Sequence, residues 1–231
     1  MQCPGQDSRY WDNEAIFEAN CSQCGHIIEF FKDDNKRKCK KCGHEMLNPK
    51  IDFGCASYCQ YAEQCLGSLP PEMIAQKQEL LIDRVAIESK KMLAQDFTKI
   101  GLMTKAARFA DKIIKSEESA NRAVVMIATY FFPFVTDQPT KESMDNAVEQ
   151  ITTRLNTLGA NPGIIEEVCS ILKDPFKATS ASDLSHKIVH DTLILTQMAT
   201  SNDSSEKKAI ELLTENAQEQ AQQLSNSLKE D

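Results

Sequence analysis

Residues 21–44, CSQCGHIIEFFKDDNKRKCKKCGH, carry the pattern Cys-x-x-Cys-Gly-His at both ends. Two residues between the cysteines of each pair let both thiolates reach one tetrahedral ion, and glycine removes the Cβ from the tight turn that follows. The residues between the pairs predict a strand over 27–31 and a turn over 32–35. This zinc-ribbon spacing predicts a closed, structural Zn²⁺ site, with iron as the alternative metal, on Cys21, Cys24, Cys39 and Cys42.

A second set of cysteines lies in the first 65 residues and has irregular spacing. It contains Cys55-x3-Cys59-x5-Cys65, and Cys3 is the remaining thiol that brings it to four. The predicted ribbon returns the chain towards its start, so we expect Cys3 to meet the other three. Four thiolates with this spacing predict an iron–sulfur cluster of the four-iron type, [4Fe-4S]. A second zinc ion and disulfides are the alternatives.

The bulk properties predict a cytoplasmic chain. It has 231 residues and a net charge of −8, which argues against a general nucleic-acid binder. The start lacks the basic and apolar regions of a secretory signal, and the longest apolar stretch, 123–135, is shorter than the ~20 residues that span a bilayer. Thiols stay reduced in the cytoplasm, which favours clustered cysteines as metal ligands over disulfides.

A basic run surrounds Cys39 and consists of Lys36, Arg37, Lys38, Lys40 and Lys41. Such a run can bind phosphate or nucleic acid. The interpretation we favour is a solvated surface that offsets the two negative charges of a four-thiolate zinc site, because no aromatic residues are interleaved to stack on bases.

From residue 69 onward the hydrophobic pattern has the helical period. It predicts helices over 70–93, 96–115, 117–132, 141–158, 163–172, 182–198 and 205–228. The third is apolar nearly all round from Ala123, which predicts a buried helix. The predicted fold class is mainly α. It comprises a small metal-binding module over 1–68, an all-helical domain over 69–200 and a C-terminal amphipathic helix within 201–231.

Several segments resemble a cysteine-rich leader and body found in certain bacterial HD-domain proteins of anaerobes. The leader segments are CPGQDSRYW, CSQCGH, FFKDD, CKKCGH, NPK, DFGCASYC and YAEQCLG, and the body segments are DFTKIG, AARFADKI, AVVMIATY, LGAN and IIEEVCSIL. The resemblance covers most of residues 1–198. It implies a helical body related to metal-dependent phosphohydrolases, which hold their ions with a histidine, a His-Asp pair and a distal aspartate.

Those ligands are missing from the matching positions of this chain. Leu102 stands where the family has its first histidine, and Phe131-Phe132-Pro133-Phe134 follows where the His-Asp pair belongs. Lys173-Asp174-Pro175-Phe176 replaces the histidines that often cluster later, and the distal aspartate matches Asp191. One carboxylate cannot hold a catalytic metal, so the resemblance implies a pseudoenzyme whose phenylalanines fill the former cleft.

His186 and His190 stand one helical turn apart and offer an alternative metal site with Asp183 or Asp191. Two histidines at this spacing are more often surface or core residues than metal ligands.

The leading hypothesis for function is a non-catalytic, metal-binding accessory or regulatory subunit. It would dock on a larger protein assembly, such as a redox assembly, through the degenerate HD-like domain. The alternatives are a metal-dependent phosphohydrolase with an altered site, and a redox- or metal-responsive nucleic-acid regulator that acts through Lys36–Lys41.

Overall fold

The computed structural model describes residues 16–32, 34, 36–50, 71–117, 119–136, 138, 140–201 and 211–227. The chain is mainly helical, with a small region of strands near its N-terminus. It divides into two compact units, residues 1–77 and 78–231. No helix in the described part of the chain is both long and apolar enough to cross a membrane.

The N-terminal unit contains two antiparallel hairpins. Strand β1 (Ile16–Asn20) pairs with β2 (Ile27–Phe31), and β3 (Lys36–Lys38) pairs with β4 (Glu45–Leu47). The strand predicted over 27–31 is therefore confirmed. Alternate residues of β2 are buried, as expected for a strand with one face on a core.

Among the residues that the structure describes, the two hairpins share a small buried cluster. It consists of Cys21, Ile28, Phe30 and Cys39, and the ring of Phe17 stacks on Phe30 with centroids 5.8 Å apart. Two of these four buried residues are cysteines of the predicted metal site. A cluster of this size contributes little burial energy, so a metal ion bound by its cysteines would add to its stability.

The second unit is built from helices that match the predicted ones in order, although two of them begin several residues later than predicted. They are α1 (Pro71–Leu93), α2 (Phe97–Ile114), α3 (Arg122–Phe131), α4 (Lys141–Thr157), α5 (Pro162–Lys173), α6 (Leu184–Ser201) and α7 (Glu215–Ser227). A short 3₁₀ helix, Phe132–Phe134, follows α3. α1 crosses the boundary between the two units.

Helix α3 begins later than the sequence pattern predicts. The predicted start was residue 117, but the side chain of Asn121 accepts a hydrogen bond from the backbone N–H of Val124 and caps the helix there. The prediction of burial is confirmed, because every residue from Ala123 to Thr129 is buried. α3 packs against α2, α5 and α6.

Helix α6 supplies the other side of the core. Its residues from Ile188 to Thr196 are all buried, which fits a helix covered on every face. Its last turn carries no basic residue of its own, and Lys105 of α2 donates from its Nζ to the carbonyl of Ala199 at 3.1 Å. That bond satisfies a carbonyl near the helix C-terminus with a positive charge.

The last helix is shorter than predicted. The pattern over 205–228 predicts a continuous helix, but residues 211–214 are not helical and α7 begins at Glu215. The cause is the carboxylate of Asp191 on α6, which accepts hydrogen bonds from the backbone N–H groups of Leu213 and Thr214 at 2.8–3.1 Å. The hydroxyl of Thr214 donates to the same carboxylate at 2.7 Å.

Asp191 therefore serves as the anion at the N-terminus of α7. The residue is fully buried, and its Oδ1 also forms a hydrogen bond with His190 Nδ1 at 3.0 Å. A buried carboxylate is costly unless it is paired and hydrogen-bonded, and here both oxygens have partners. The carboxylate joins α6 to α7 across a separation of 22 residues.

Replacing Asp191 should destabilise the helical unit. Asp191→Ala leaves the buried N–H and hydroxyl of Thr214 and the half-buried N–H of Leu213 without their acceptor. We expect a loss of about 2–4 kcal/mol in the free energy of unfolding. Asp191→Asn keeps one acceptor oxygen and should lose about half as much. Urea denaturation followed by circular dichroism measures both. Asp145→Asn, an exposed change on α4, is the control, and equal stability of the Asp191 and Asp145 variants would contradict the anchoring role.

Candidate metal centre

The two Cys-Gly-His segments form matching turns, or knuckles, at residues 21–26 and 39–44. In the first, the N–H of Cys21 donates to His26 O at 2.8 Å and the N–H of Gly25 donates to Cys21 O at 2.8 Å. In the second, Cys39 donates to His44 O at 2.7 Å and Gly43 to Cys39 O at 2.9 Å. The repeated sequence thus folds into a repeated backbone.

Glycine is required in each knuckle by the backbone angle. Gly25 has a φ of 69° and Gly43 a φ of 75°, in the left-handed region where a Cβ clashes with its own backbone. No other heavy atom of the described chain lies within 4 Å of where a Cβ would stand. The need for glycine comes from the turn itself and not from crowding by neighbours.

The knuckles bring all four sequence-predicted ligands together. The Sγ atoms of Cys21, Cys24, Cys39 and Cys42 lie within 4.8 Å of one another, and the two pairs Cys21–Cys42 and Cys24–Cys39 are each 3.6 Å apart. Each of these pairs joins one knuckle to the other. Among residues that the structure describes, this is the one group of three or more metal-ligating side chains at such distances.

The site is asymmetric towards solvent. Cys21 and Cys39, the first cysteine of each knuckle, are buried, whereas Cys24 is half-buried and Cys42 is exposed. The first cysteines belong to the small apolar core and the second ones face outward. The second cysteine of each knuckle is therefore the more accessible of the two to an incoming ion.

Local hydrogen bonds favour thiolate at Cys39. The backbone N–H of Cys42 lowers the pKa of the Cys39 thiol to about 6, with help from the N–H of Lys41. The N–H of His44 also lowers the pKa of Cys42, but desolvation and the three neighbouring sulfurs outweigh it and raise that pKa to about 12. Four thiols this close do not all ionise without a cation, and a bound metal ion would stabilise them as thiolates.

Neither knuckle histidine is arranged as a ligand of this site. His44 Nε2 is 3.1 Å from Ser22 Oγ, a contact that joins the second knuckle to the first, and His26 is exposed. The four sulfurs complete a tetrahedral set without them.

The basic run around Cys39 is partly neutralised. Lys36 forms an ion pair with Glu45 at 3.1 Å, and Arg37 pairs with Asp34 while its guanidinium lies 4.9 Å from the centre of the Phe31 ring. Lys38, Lys40 and Lys41 are exposed. The surface beside the metal centre thus carries these three lysines.

The second predicted cysteine set, Cys3, Cys55, Cys59 and Cys65, lies outside the described residues.

Two of the positions matched to the HD-type ligands, Leu102 and residues 131–134, are apolar and packed, whereas Lys173 and Asp174 are exposed. Leu102 is half-buried against the helical core, and Phe131 and Phe132 are buried in it. Both carboxylate oxygens of Asp191 accept hydrogen bonds just before the start of α7, as described above. The Nε2 atom of His186 lies 3.1 Å from the carbonyl oxygen of Asp174. His186 and His190 do not form a ligand group with Asp183 or Asp191 in the described chain.

Comparison of the chain with protein families, with characterised proteins and with solved structures found no match.

Removing one buried ligand should empty the centre. We expect Cys39→Ser to lower the bound metal by about one equivalent per chain, because three thiolates leave the tetrahedral set open. Metal analysis by mass spectrometry measures the loss, and the helical signal in circular dichroism should persist. Cys169→Ala, a change at a buried cysteine of α5, is the control and should leave the metal content unchanged. Unchanged metal content in the Cys39 variant would contradict the assignment.

Adding a Cβ to a knuckle glycine should weaken the site without removing a ligand. Gly43→Ala forces alanine into the left-handed region at a cost of about 1–2 kcal/mol, so we expect roughly tenfold weaker metal binding. Competition with a chromophoric chelator measures the affinity. Gly101→Ala, at an exposed glycine of α2, should leave it unchanged. Equal affinities of the two variants would show that the knuckle angle is not under constraint.

Proposed function

We propose that the four-cysteine centre holds a structural Zn²⁺ ion. In a tetrahedron with Zn–S bonds of about 2.3 Å, neighbouring sulfurs stand about 3.8 Å apart, and the closest pairs here are at 3.6 Å. Four protein ligands leave no open position for water or substrate, which disfavours a catalytic role. Iron in the same ligand set is the competing assignment.

On this basis the chain acts as a non-catalytic accessory or regulatory subunit that docks on a larger protein assembly. The observation that carries the proposal is the contrast between its two units. One gathers four thiolates within 4.8 Å, whereas the other has leucine and phenylalanine at the positions matched to hydrolytic ligands. A body that keeps a packed fold and lacks ligands is suited to binding rather than to hydrolysis.

The interpretation of the body as a degenerate HD-like domain is part of this proposal and rests on the sequence segments given above. A [4Fe-4S] cluster on Cys3, Cys55, Cys59 and Cys65 and a location in the cytoplasm are also part of this proposal, and both rest on the sequence. A cluster of that kind would connect the subunit to a redox assembly.

The alternative of an altered phosphohydrolase requires a free carboxylate at Asp191. That side chain is fully buried and accepts hydrogen bonds from Leu213, Thr214 and His190, so a metal ion would have to displace the start of α7. The energetic cost of that displacement counts against hydrolysis.

One observation favours the alternative of a nucleic-acid regulator. Lys38, Lys40 and Lys41 are exposed beside the metal centre, where they can reach phosphates. The three described aromatic rings of that unit count against it, because Phe17 stacks on Phe30 and Phe31 faces Arg37. Binding through these lysines would be electrostatic and would weaken steeply with salt.

The docking role is tested with the full chain, tagged and isolated anaerobically from its native host. We expect a stoichiometric protein partner that binds again when both purified proteins are mixed. Phe97 is 77% exposed at the start of α2, and Phe97→Ser should weaken the reconstituted complex about tenfold if the helical unit docks. Ile27→Ser, at a 56% exposed residue of the N-terminal unit, is the matched control.

Two results would overturn this function. One is metal-dependent turnover of phosphate esters that Asp191→Asn abolishes and Asp145→Asn does not, measured at a temperature where both variants are folded. The other is a salt-sensitive affinity for DNA or RNA that is lost when Lys38, Lys40 and Lys41 are changed to glutamine, without any protein partner in the isolated sample.

A further inference from the structure

A cavity of about 270 Å³ opens on the helical unit between the end of α1, the 3₁₀ helix and α4. Helix α4 contributes Asn146, Ala147, Gln150 and Ile151, which recur at the spacing of one helix face. Drug-sized ligands occupy clefts of about 300–1,000 Å³, so this cavity suits a ligand the size of a single substituted ring.

The floor of the cavity is apolar and held in place. Ile151 is 1% exposed, and Met92, Ala147 and Phe134 are half-buried around it. The ring of Phe134 packs on the buried ring of Phe131, with centroids 6.0 Å apart and planes at 59°. Phe134 therefore offers a fixed aromatic wall on which a flat ring can stack.

The rim is made of carboxamides. Asn146 and Gln150 lie one turn apart on α4 and are exposed, and their side chains form no hydrogen bond with the residues that the structure describes. Gln138 Nε2 donates to the carbonyl of Phe134 at 2.7 Å, which fixes a third amide at the same rim. Each carboxamide has both a donor and an acceptor, so the set matches the edge of an amide or lactam.

The absence of charge among the lining residues limits the class of ligand that the cavity suits. The lining residues assigned to the cavity are apolar, amide or hydroxyl side chains, and none of them carries a charge. An ionised ligand would gain no counter-charge from these side chains. Phosphate-bearing and carboxylate ligands are therefore disfavoured relative to neutral ones.

We propose that this cavity binds a small, uncharged, planar ring that carries an amide edge. The ring lies against Phe134, and its amide edge exchanges hydrogen bonds with Asn146 and Gln150. This site is separate from the metal centre and goes beyond the docking role, because it assigns a small-molecule ligand to the helical unit.

Nicotinamide is a suitable probe, and nicotinate is its matched control because it keeps the ring and replaces the amide with a carboxylate. Each is titrated into the zinc-loaded, ¹⁵N-labelled full chain and followed by amide chemical shifts. We expect saturable shifts in α4 and the 3₁₀ helix with nicotinamide, with a Kd of roughly 1 mM or below, and at least fivefold weaker binding of nicotinate.

Variants separate specific binding from general contact with the apolar floor. Gln150→Leu and Asn146→Leu each remove one rim amide from an exposed position, and each should weaken nicotinamide binding about fivefold to tenfold. Gln222→Leu, at an exposed position of α7, should leave binding unchanged. The proposal is overturned by shifts that do not saturate, by equal binding of the two ligands, or by unchanged affinity in both rim variants.

Discussion

The N-terminal unit depends on the requirement that four sulfurs meet at tetrahedral distances. Among the residues that the structure describes, its hairpins pack on a small cluster of Cys21, Ile28, Phe30 and Cys39. Bonds from the thiolates to a metal ion would add to the stability of this cluster. The left-handed glycines follow the second cysteine of each knuckle, and their turn brings the carbonyls of His26 and His44 back to the N–H groups of Cys21 and Cys39.

The helical unit is held by different forces. Its stability comes from two buried helices, α3 and α6, and from a carboxylate that satisfies the start of the last helix. Asp191 replaces a local cap with a side chain that is 22 residues away, so the end of the chain is fastened to the middle of the core. Metal removal and loss of this carboxylate thus act on different units of the same protein.

Short sequence patterns predicted most of the local structure of the chain. The Cys-x-x-Cys-Gly-His repeat predicted both knuckles and their four ligands, because the spacing alone decides which sulfurs can converge. Helical periodicity predicted the buried third helix but not its first residue. The helix begins after Asn121 because the side chain of that residue caps it, and periodicity carries no information on a single capping side chain. The start of α7 and the cavity beside Phe134 were not predicted, because both arise from residues that meet only after folding.

The His190-Asp191 dipeptide shows why sequence identity alone does not assign chemistry. The two letters match the signature of a hydrolytic metal site, but a carboxylate can ligate only with oxygens that are available. Here both oxygens are committed to backbone N–H groups, a hydroxyl and the adjacent imidazole. The binding energy of a metal ion at Asp191 would have to exceed the combined energy of those hydrogen bonds and of the helix that begins there. The pair therefore stabilises the fold, and the ligands arranged for a metal are the four sulfurs of the knuckles.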